Sequence, residues 1–353
     1  MDSSKADRGP LVSVAVPVYN GQATVGEALR SLLAQTYRNL EIIVVDDGSA
    51  DGTWEVLESF GSAIRAIRQP NAGIAAARNA GLAAAKGEFI ALMDHDDLCE
   101  AERISAQVKF MEARPELVLC CSDFGAFNSS GPVAASYIGS YYGRCAAAEG
   151  GAKARYPERG SLDVSLCLPS ASAQPVLVPT YFGRVYEELA LGNFVHPPTV
   201  MFRRSLLAEA GYFDQDVKIM CEWEWLVRVA RVGAIGFIDR PLLNYRLSPS
   251  QVSSSEDAAL DTVQVARRIC ERDPSLRRKR PEGYRMLFGG LYAVAADSRA
   301  EKHPLEALSL LATSVLRYRT FTRQTPRTLL KLLAPAPLLE LVRFLVDAGP
   351  PLL

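Results

Sequence analysis

Three carboxylates follow an apolar stretch in the segment GEFIALMDHDDLCE, which spans residues 87–100. Residues 88–93 read as a buried strand, and Asp94, Asp96 and Asp97 come directly after it. Carboxylates this close raise one another's pKa unless a cation or a set of donors holds them. Asp94 and Asp96 can present two oxygens to one hard divalent ion, so we predict a metal site at this turn. For Asp97 we predict a solvated position that caps the following helix.

Two stretches have the length of a calcium-binding EF-hand loop. The first follows the wrong kind of element, and the second lacks two residues that the loop requires. DGSADGTWEVLE, residues 47–58, has acidic and glycine residues at EF-hand spacing, but it follows the apolar strand EIIVV, whereas an EF-hand loop follows a helix. DHDDLCEAERIS, residues 94–105, has Cys99 at the glycine position and Ser105 at the final glutamate position. These mismatches argue against a calcium-binding module.

Glu222 lies on the predicted helix CEWEWLVRVARVG, where helical spacing separates it from the second acid. Glu224, Arg228 and Arg231 fall at i, i+4 and i+7, which predicts an outward ion-paired face. Glu222 instead shares a side with three apolar residues, Trp225, Leu226 and Val229. A carboxylate on an apolar face has a raised pKa, which suits a general base. The geometry leaves equally open a buried glutamate that a nearby arginine satisfies.

The residues before the acidic turn alternate between apolar runs and helical patterns. The sequence predicts strands in LVSVAVPV, LEIIVV, AIRAIRQ and residues 88–93, and helices over residues 24–34, 51–60 and 71–85. Strands that alternate with helices form a parallel sheet with right-handed crossovers. The carboxyl ends of the first, second and fourth strands then converge on one crevice, where open α/β sheets bind ligands.

Residues 128–192 form a long connection that is rich in Gly, Ser, Ala, Pro and Tyr and shows no regular pattern. So long a connection inside a domain is more often functional than idle. After it the sequence predicts the helix at residues 221–233, the strand AIGFIDRPLLNYRL, and then helices to the end of the chain. In the apolar segment 328–349, charged residues and prolines exclude a clean membrane span and favour amphipathic helices that lie on a surface.

Composition and charge limit the partners of the chain. Of its 353 residues, 48% are hydrophobic and 22% are charged, which is typical of a globular protein, and a net charge of -1 gives no bias toward nucleic acid. Residues 251–353 contain 16 Lys and Arg against 11 Asp and Glu, a net charge of +5. This basic region fits either an anionic surface such as lipid headgroups or a helical tail with solvated arginines. Seven cysteines without CxxC spacing, and an N-terminus without an apolar signal region, predict a reduced, cytoplasmic protein.

Four motifs occur in order along the chain: VSVAVPVYNG, EIIVVDDGSADGT, NAGIAAARNAGLAAAKGEFIALMDHDD and PPTVMFRRSLLAEAGYFD. In that order and spacing the chain resembles the family 2 glycosyltransferases of GT-A fold, over residues 11–253, with the insertion after Asn128 as its weakest part. The resemblance implies an open, mostly parallel α/β sheet flanked by helices, with a helical region after it. It also implies an inverting transferase that uses a nucleoside-diphosphate sugar and Mn²⁺ or Mg²⁺.

The resemblance assigns several motif residues to the nucleotide. Pro17 and Tyr19 border it, and Asp47 accepts a hydrogen bond from the N3–H of the base, which favours uracil and hence UDP. Gly73 lets the backbone pass close to the ligand, and Arg78 contacts the base or the diphosphate.

The resemblance also assigns the reacting groups. Asp96, with Asp94, holds the metal that bridges the diphosphate and stabilises it as leaving group. Glu222 takes the proton from the acceptor hydroxyl as that hydroxyl attacks the anomeric carbon in line, from the opposite face.

Two positions depart from the family pattern. Cys221-Glu222 stands where the family usually has Glu-Asp, with the Asp as base, so the base here is one methylene longer. Ser248 replaces a histidine that can contact the metal or the diphosphate, which leaves Arg246 to serve the phosphates. These departures keep a second interpretation open, a nucleotide-sugar-binding protein with little activity that acts as a partner in an assembly. A nucleotidyltransferase is disfavoured, because the first strand leads into PVYNG rather than into a Gly-rich triphosphate loop.

The implied organisation has three parts. Residues 10–115 form the nucleotide-sugar half of the GT-A domain, residues 116–253 the acceptor half with the insertion 128–192, and residues 254–353 a helical region that associates with the membrane. The expected acceptor is a glycan or lipid-linked molecule in surface polysaccharide or glycolipid synthesis at the inner face of the membrane. Four tyrosines offer sugar-stacking surface or ordinary loop packing, Tyr137, Tyr141, Tyr142 and Tyr181. His196 lies near the expected acceptor side, where a lone histidine is usually structural.

Overall fold

The computed structural model describes residues 9–142, 151–248 and 258–333. Contacts within the chain divide it into two compact units, Met1–Pro249 and Ser250–Leu353. The predicted boundary at residues 253–254 and the predicted helices beyond residue 333 lie outside the described residues.

Four parallel strands form the first half of the sheet, in the order β3-β2-β1-β4. Their bounds are Val12–Val18 (β1), Leu40–Asp46 (β2), Arg65–Arg68 (β3) and Phe89–Leu92 (β4). β1 is buried at every position, as expected of a central parallel strand whose two faces are both covered. All four strands that the sequence predicted in this half are present; β2 extends one residue beyond its apolar run, and the other three are slightly shorter than theirs.

Helices α1 (Val25–Leu33), α2 (Thr53–Ser59) and α3 (Ile74–Ala84) connect these strands. α1 buries the apolar positions that gave its helical spacing, including Val25, Leu29 and Leu32. α3 begins later than predicted, because Gly73, with a φ of +90°, forms the turn immediately before it.

The second half of the sheet is mixed in direction. Its strands are β5 (Leu98–Cys99), β6 (Leu117–Asn128), β7 (Gly131–Ala134), β8 (Glu158–Asp163), β9 (Leu177–Gly183), β10 (Met201–Arg203) and β11 (Ala234–Arg246), and helix α4 (Arg103–Ala113) precedes β6. β10 lies antiparallel between β4 and β6, β6 runs parallel to β11, and β9 and β8 continue the sheet beyond β11. The predicted fold class, an open α/β sheet flanked by helices, is confirmed.

The connection over residues 128–192 is more regular than the sequence predicted. It contains β7, β8, β9 and the short helices α5 (Ile138–Tyr141) and α6 (Tyr186–Ala190). In β9 the side chains of Val178, Thr180 and Phe182 are buried and those between them are more exposed, which is the two-residue period of a strand with one buried face. The prolines and serines around these short strands obscure that period in the sequence.

Helix α7 (Leu207–Ala210) precedes helix α8 (Cys221–Val232), which carries Glu222. Two tryptophans fix the rotation of α8 about its axis. Trp223 Nε1 donates to the Leu189 carbonyl at 2.7 Å, and Trp225 Nε1 donates to the Gly211 carbonyl at 2.8 Å. Both indole rings are buried, so α8 is anchored on two sides.

The described residues of the second unit form helices, as predicted. These are α9 (Ala258–Arg272), α10 (Ser275–Lys279), α11 (Pro281–Arg299), α12 (Pro304–Ala312) and α13 (Gln324–Leu333). Phe288 and Tyr292 of α11 both stack on Tyr318, each at a ring-centroid distance of 5.6 Å. Within the described part of the chain, no helix combines the length and the hydropathy needed to cross a membrane.

Candidate active site

Asp47 follows the carboxyl end of β2, is buried, and holds the loop that leads into α3. Its Oδ1 accepts from Gln69 Nε2 at 2.7 Å and from the Ala72 N–H at 3.0 Å, and its Oδ2 accepts from the Gly73 N–H at 2.8 Å. A carboxylate has about four acceptor positions. Three donors from the protein therefore leave Asp47 room for one more, such as the predicted N3–H of a base.

Gly73 is required by its backbone conformation. Its φ of +90° lies in the region that side chains rarely adopt, yet an added Cβ would meet no atom within 4 Å. The structure thus accounts for the glycine through the turn before α3, and the close approach of a ligand stays a prediction. At the end of β1, Pro17 is buried within the strand, whereas Tyr19 is 49% exposed just beyond it.

Arg78 of α3 joins the two acidic groups that the sequence placed in separate roles. Its side chain is 2% exposed; Nη1 donates to Glu222 Oε1, and Nη2 donates to Asp94 Oδ1 at 2.8 Å. The guanidinium also lies over the ring of Phe213, 5.7 Å from its centroid. One buried cation therefore bridges the candidate base and the acidic turn, a contact that the sequence did not predict.

Glu222 has a lowered pKa, so the prediction of a raised one is wrong. Burial by itself raises the pKa of Glu222, but the charge of Arg78 and the hydrogen bond from it bring the pKa below its usual value of 4.5. The sequence left open a buried glutamate satisfied by an arginine, and the structure shows that arrangement. Glu222 is ionised at neutral pH for this reason.

The predicted outward face of α8 is also wrong in part. Glu224 does pair with Arg228, at 3.0 Å between Oε2 and Nη2, but Glu224 is 1% exposed, and Glu222 is the more accessible of the two acids. The predicted face assumed that one side of the helix meets solvent. The anchoring of Trp223 and Trp225 on separate segments instead covers α8 on both sides.

In the acidic turn after β4, Asp97 is buried rather than solvated, and Asp94 and Asp96 are half-buried. Burial and the neighbouring charge of Asp94 raise the pKa of Asp96. Asp97 is fully buried, and burial, then Asp96 and Asp94, raise its pKa well above the usual value. Its Oδ1 accepts from the Arg246 N–H at 3.0 Å, while its Oδ2 has no hydrogen-bond partner in the described part of the chain. The predicted helix cap at Asp97 is therefore wrong, because β5 intervenes and α4 begins only at Arg103.

Two arginines hold this turn in place. Arg246 Nε donates to the Asp96 carbonyl at 2.7 Å, and its Nη2 donates to Glu27 Oε2 at 2.6 Å. Arg103, which the sequence analysis missed, is fully buried in α4 and donates from Nη2 to the Leu92 carbonyl at 2.8 Å. A lone arginine among the apolar positions of a helix was the available signal. The phosphate contact predicted for Arg246 stays a prediction, beside the anchoring role that the structure shows.

Asp94 and Asp96 fit a divalent cation that is shared with a ligand. No group of three or more Asp, Glu, His or Cys side chains within the described ranges could hold a metal by itself. The carboxylate oxygens are nevertheless the hard ligands that Mn²⁺ and Mg²⁺ take, and a nearby cation would lower the raised pKa of Asp96. Because Asp94 Oδ1 already accepts from Arg78 Nη2, the Asp94 carboxylate would serve both Arg78 and the cation.

An aromatic cluster borders this turn, formed by Phe124, Tyr137, Tyr141, Tyr142, His196 and Tyr245. His196 is 3% exposed and stacks on Phe124 at a centroid distance of 3.9 Å. Burial, with the charges of Arg103 and Arg78, lowers the pKa of His196 to about 3, so its ring is neutral. The structural role expected of this histidine agrees with that position. Tyr181 lies outside the cluster and packs on Phe237.

Comparison with known sequences finds glycosyltransferases among the proteins that this chain resembles. Residues 13–143, from β1 through the acidic turn to α5, match the sequence model of glycosyl transferase family 2. An uncharacterized glycosyltransferase of Rickettsia prowazekii is 28% identical over 249 residues, which cover 70% of this chain and 67% of that protein. The glycosyltransferase GlyG of Streptococcus pneumoniae is 43% identical over 98 residues, which cover 27% of this chain and 33% of that protein.

Two solved structures share the fold at low identity. TarS of S. aureus, residues 1–349 in complex with UDP-GlcNAc, superposes with a TM-score of 0.52 and 18% identity, over 89% of this chain and 93% of that one. The mannosyltransferase PcManGT of Pyrobaculum calidifontis, in complex with GDP-Man and Mn²⁺, gives a TM-score of 0.55 and 19% identity, over 97% of this chain and 89% of that one. At such identities the likeness concerns the fold alone.

Proposed function

We propose that this chain, whose residues 13–143 match glycosyl transferase family 2, is a glycosyltransferase of that family that moves a sugar from a nucleoside-diphosphate sugar to an acceptor hydroxyl with inversion. The observation that carries the proposal is the bridge from Glu222 through Arg78 to Asp94, at the carboxyl ends of the parallel strands. UDP is the favoured nucleotide, because Asp47 keeps one acceptor position for a base N–H. The UDP-GlcNAc complex of TarS and the GDP-Man complex of PcManGT support the donor class.

Glu222 is the proton acceptor in this proposal. The acceptor O–H bond breaks and its proton passes to Glu222, while the oxygen forms a bond to the anomeric carbon. The bond from that carbon to the diphosphate oxygen breaks, and the nucleoside diphosphate leaves with the electron pair. A single displacement inverts the configuration. Arg78 keeps Glu222 ionised before the acceptor arrives, so the base is ready at neutral pH.

Asp94 and Asp96 are the residues that would hold Mn²⁺ or Mg²⁺. A bound divalent cation supplies Lewis-acid stabilisation of the diphosphate leaving group. The residues around it do the positioning, because Arg246 and Arg103 fix the backbone on both sides of the turn. The Mn²⁺ in the PcManGT complex supports the choice of cation.

Surface polysaccharide or glycolipid synthesis at the inner face of the membrane is the proposed setting, by analogy with the family. The described residues of the second unit expose large apolar side chains, Leu305, Leu316, Phe321 and Leu333. With the net charge of +5 in residues 251–353, they fit an anionic lipid surface. Sedimentation with vesicles of phosphatidylglycerol, compared with phosphatidylcholine vesicles, tests this, and a failure to sediment with either contradicts it.

A second candidate function is nucleotide-sugar binding with little turnover, as a partner in an assembly. The Arg78–Glu222 ion pair favours it, because a carboxylate with a lowered pKa is a weaker base. The departures at Cys221 and Ser248 point the same way. Turnover separates the two candidates, since both require the nucleotide sugar to bind.

Glu222→Gln tests the proposed function. The variant keeps the shape of the side chain and loses the proton acceptor, so we expect sugar transfer to fall by roughly 10²–10⁴-fold while UDP affinity stays within about threefold. Glu224→Gln is the matched control. Glu224 lies on the same helix but pairs with Arg228 rather than with Arg78, so this variant should retain transfer. Transfer is followed with UDP-glucose, UDP-galactose and UDP-GlcNAc. UDP binding without transfer from any donor in the wild type favours the second candidate, and wild-type transfer that Glu222→Gln leaves intact contradicts the role of Glu222.

A further inference from the structure

Tyr141 is the exposed member of the aromatic cluster. Its side chain is 37% exposed, and the rings of Tyr245, His196 and Phe124 are among those that contact it. Its centroid lies 5.4 Å from Tyr245, 5.1 Å from His196 and 5.9 Å from Phe124, each in an edge arrangement. Edge contacts at these distances stabilise aromatic pairs. Tyr141 is therefore held in a fixed orientation while part of its surface stays open to solvent.

This exposed ring lies beside the carboxylates of the candidate active site. Tyr245, one of the rings that contact Tyr141, precedes Arg246, whose N–H donates to Asp97 Oδ1 and whose Nε donates to the Asp96 carbonyl. Burial raises the pKa of Tyr141, and the charges of Glu222, Asp94 and Asp97 raise it as well, in agreement with that location.

We propose that Tyr141 is the platform on which a pyranose ring of the acceptor stacks, so that the reacting hydroxyl of the acceptor points toward Glu222. This inference rests on the proposed function and adds the class of acceptor to it. The face of an aromatic ring carries negative quadrupole charge, and the C–H groups on one face of a pyranose carry slight positive charge. A flat, uncharged, rigid surface suits such a ring, whereas an acyl chain needs an apolar groove.

The other three tyrosines that the sequence analysis named as candidates for sugar stacking do not offer such a surface. The Tyr142 hydroxyl donates to the Val195 carbonyl at 3.0 Å, and Tyr137 is half-buried with its edge against Phe124. Tyr181 lies on β9, where it packs on Phe237 away from the cluster. Tyr181 is therefore a matched control, a half-exposed tyrosine of the same unit that has no part in the cluster.

Saturation-transfer NMR with methyl β-glycosides tests the proposal. The probes are the methyl β-pyranosides of glucose, galactose and N-acetylglucosamine, in the presence of UDP and diamagnetic Mg²⁺. For at least one of them, the wild type should transfer saturation to the C–H groups of one sugar face. Tyr141→Ala should reduce that signal and the sugar affinity by about tenfold. Tyr141→Phe and Tyr181→Ala should retain both, because each leaves the stacking face at position 141.

UDP affinity, measured calorimetrically on the same four proteins, separates the possible failures. UDP binding throughout, with equal sugar signals in the wild type and Tyr141→Ala, overturns the platform and leaves the proposed function standing. A loss in Tyr141→Phe as large as in Tyr141→Ala assigns the effect to the hydroxyl and overturns stacking. If the wild type binds UDP but none of the three glycosides receives saturation, the proposal of a pyranose acceptor is overturned. If the wild type binds no UDP, the proposed function fails, and this inference fails with it.

Discussion

Two acidic strand ends of one sheet differ in how well the fold compensates them. After β2, Asp47 is buried with three donors on its two oxygens. After β4, half-buried Asp96 and fully buried Asp97 have raised pKa values, and Asp97 Oδ2 has no hydrogen-bond partner among the described residues. A buried carboxylate without compensation is costly. The first site is completed by the protein itself, and the second is an acidic turn that a cation would stabilise.

Arg78→Met removes the compensation from Glu222 and Asp94 together. Loss of one partner from a buried ion pair costs about 3–5 kcal/mol, and we expect that loss in the free energy of unfolding at pH 7, measured by urea denaturation. Arg65→Met, an exposed arginine on β3, is the control and should cost under about 1 kcal/mol. Equal losses in the two variants would show that the bridge contributes no special stability.

The pH dependence of the same variant has a definite sign. In the wild type the pKa of Glu222 is lowered, so its contribution to stability is present above its usual pKa of 4.5 and is lost as the pH falls through the folded value. In Arg78→Met the charge of Arg78 no longer opposes burial, which is the largest influence on the pKa of Glu222, so that pKa rises. The stability deficit of the variant should therefore shrink as the pH falls from 7 toward 4.5. A deficit independent of pH over this window would contradict the ion pair.

Asp47→Ala leaves the Ala72 and Gly73 N–H groups without their acceptor. Both donors belong to exposed residues that water can reach, so the cost is that of the lost hydrogen bonds to a charged group, about 1.5–3 kcal/mol in the free energy of unfolding. Asp47→Asn keeps one acceptor oxygen and should lose less. A loss as small in Asp47→Ala as in Asp47→Asn would mean that the loop before α3 does not depend on this carboxylate.

Asp97→Asn should have the opposite sign and the smallest effect. The folded pKa of Asp97 is raised, so ionisation destabilises the fold above that pKa, and the penalty disappears below the usual value of 3.8. Removal of the charge should stabilise the protein at pH 7 by on the order of 1 kcal/mol. This advantage over the wild type should fade on acidification. A variant less stable than the wild type at pH 7 would show that the turn is already compensated.

The sequence predicted the fold well where the residue types in a segment favour one kind of secondary structure. β-branched runs gave the four parallel strands, and their order brought Asp47 and the acidic turn to one edge of the sheet. The Arg78 bridge could not be predicted, because its partner Glu222 is 144 residues away and only packing decides which charges meet. The helix cap at Asp97 failed for a related reason, since β5 forms only through its pairing with β11.

The insertion shows the same limit in another form. Its tyrosines were visible in the sequence, yet nothing in their spacing distinguished Tyr141 from Tyr181. The distinction comes from contacts with Phe124, His196 and Tyr245, which three separate segments supply.

The most direct test of the difference between the two strand ends is calorimetric titration with UDP, with and without Mn²⁺. The proteins are the wild type, Asp96→Asn and the control Glu116→Gln, whose side chain is 50% exposed. We predict that Mn²⁺ strengthens UDP binding to the wild type and the control by at least about tenfold, and that Asp96→Asn loses this gain. Equal UDP affinity with and without Mn²⁺ in the wild type, or a full Mn²⁺ effect in Asp96→Asn, would contradict the assignment of the acidic turn to a cation.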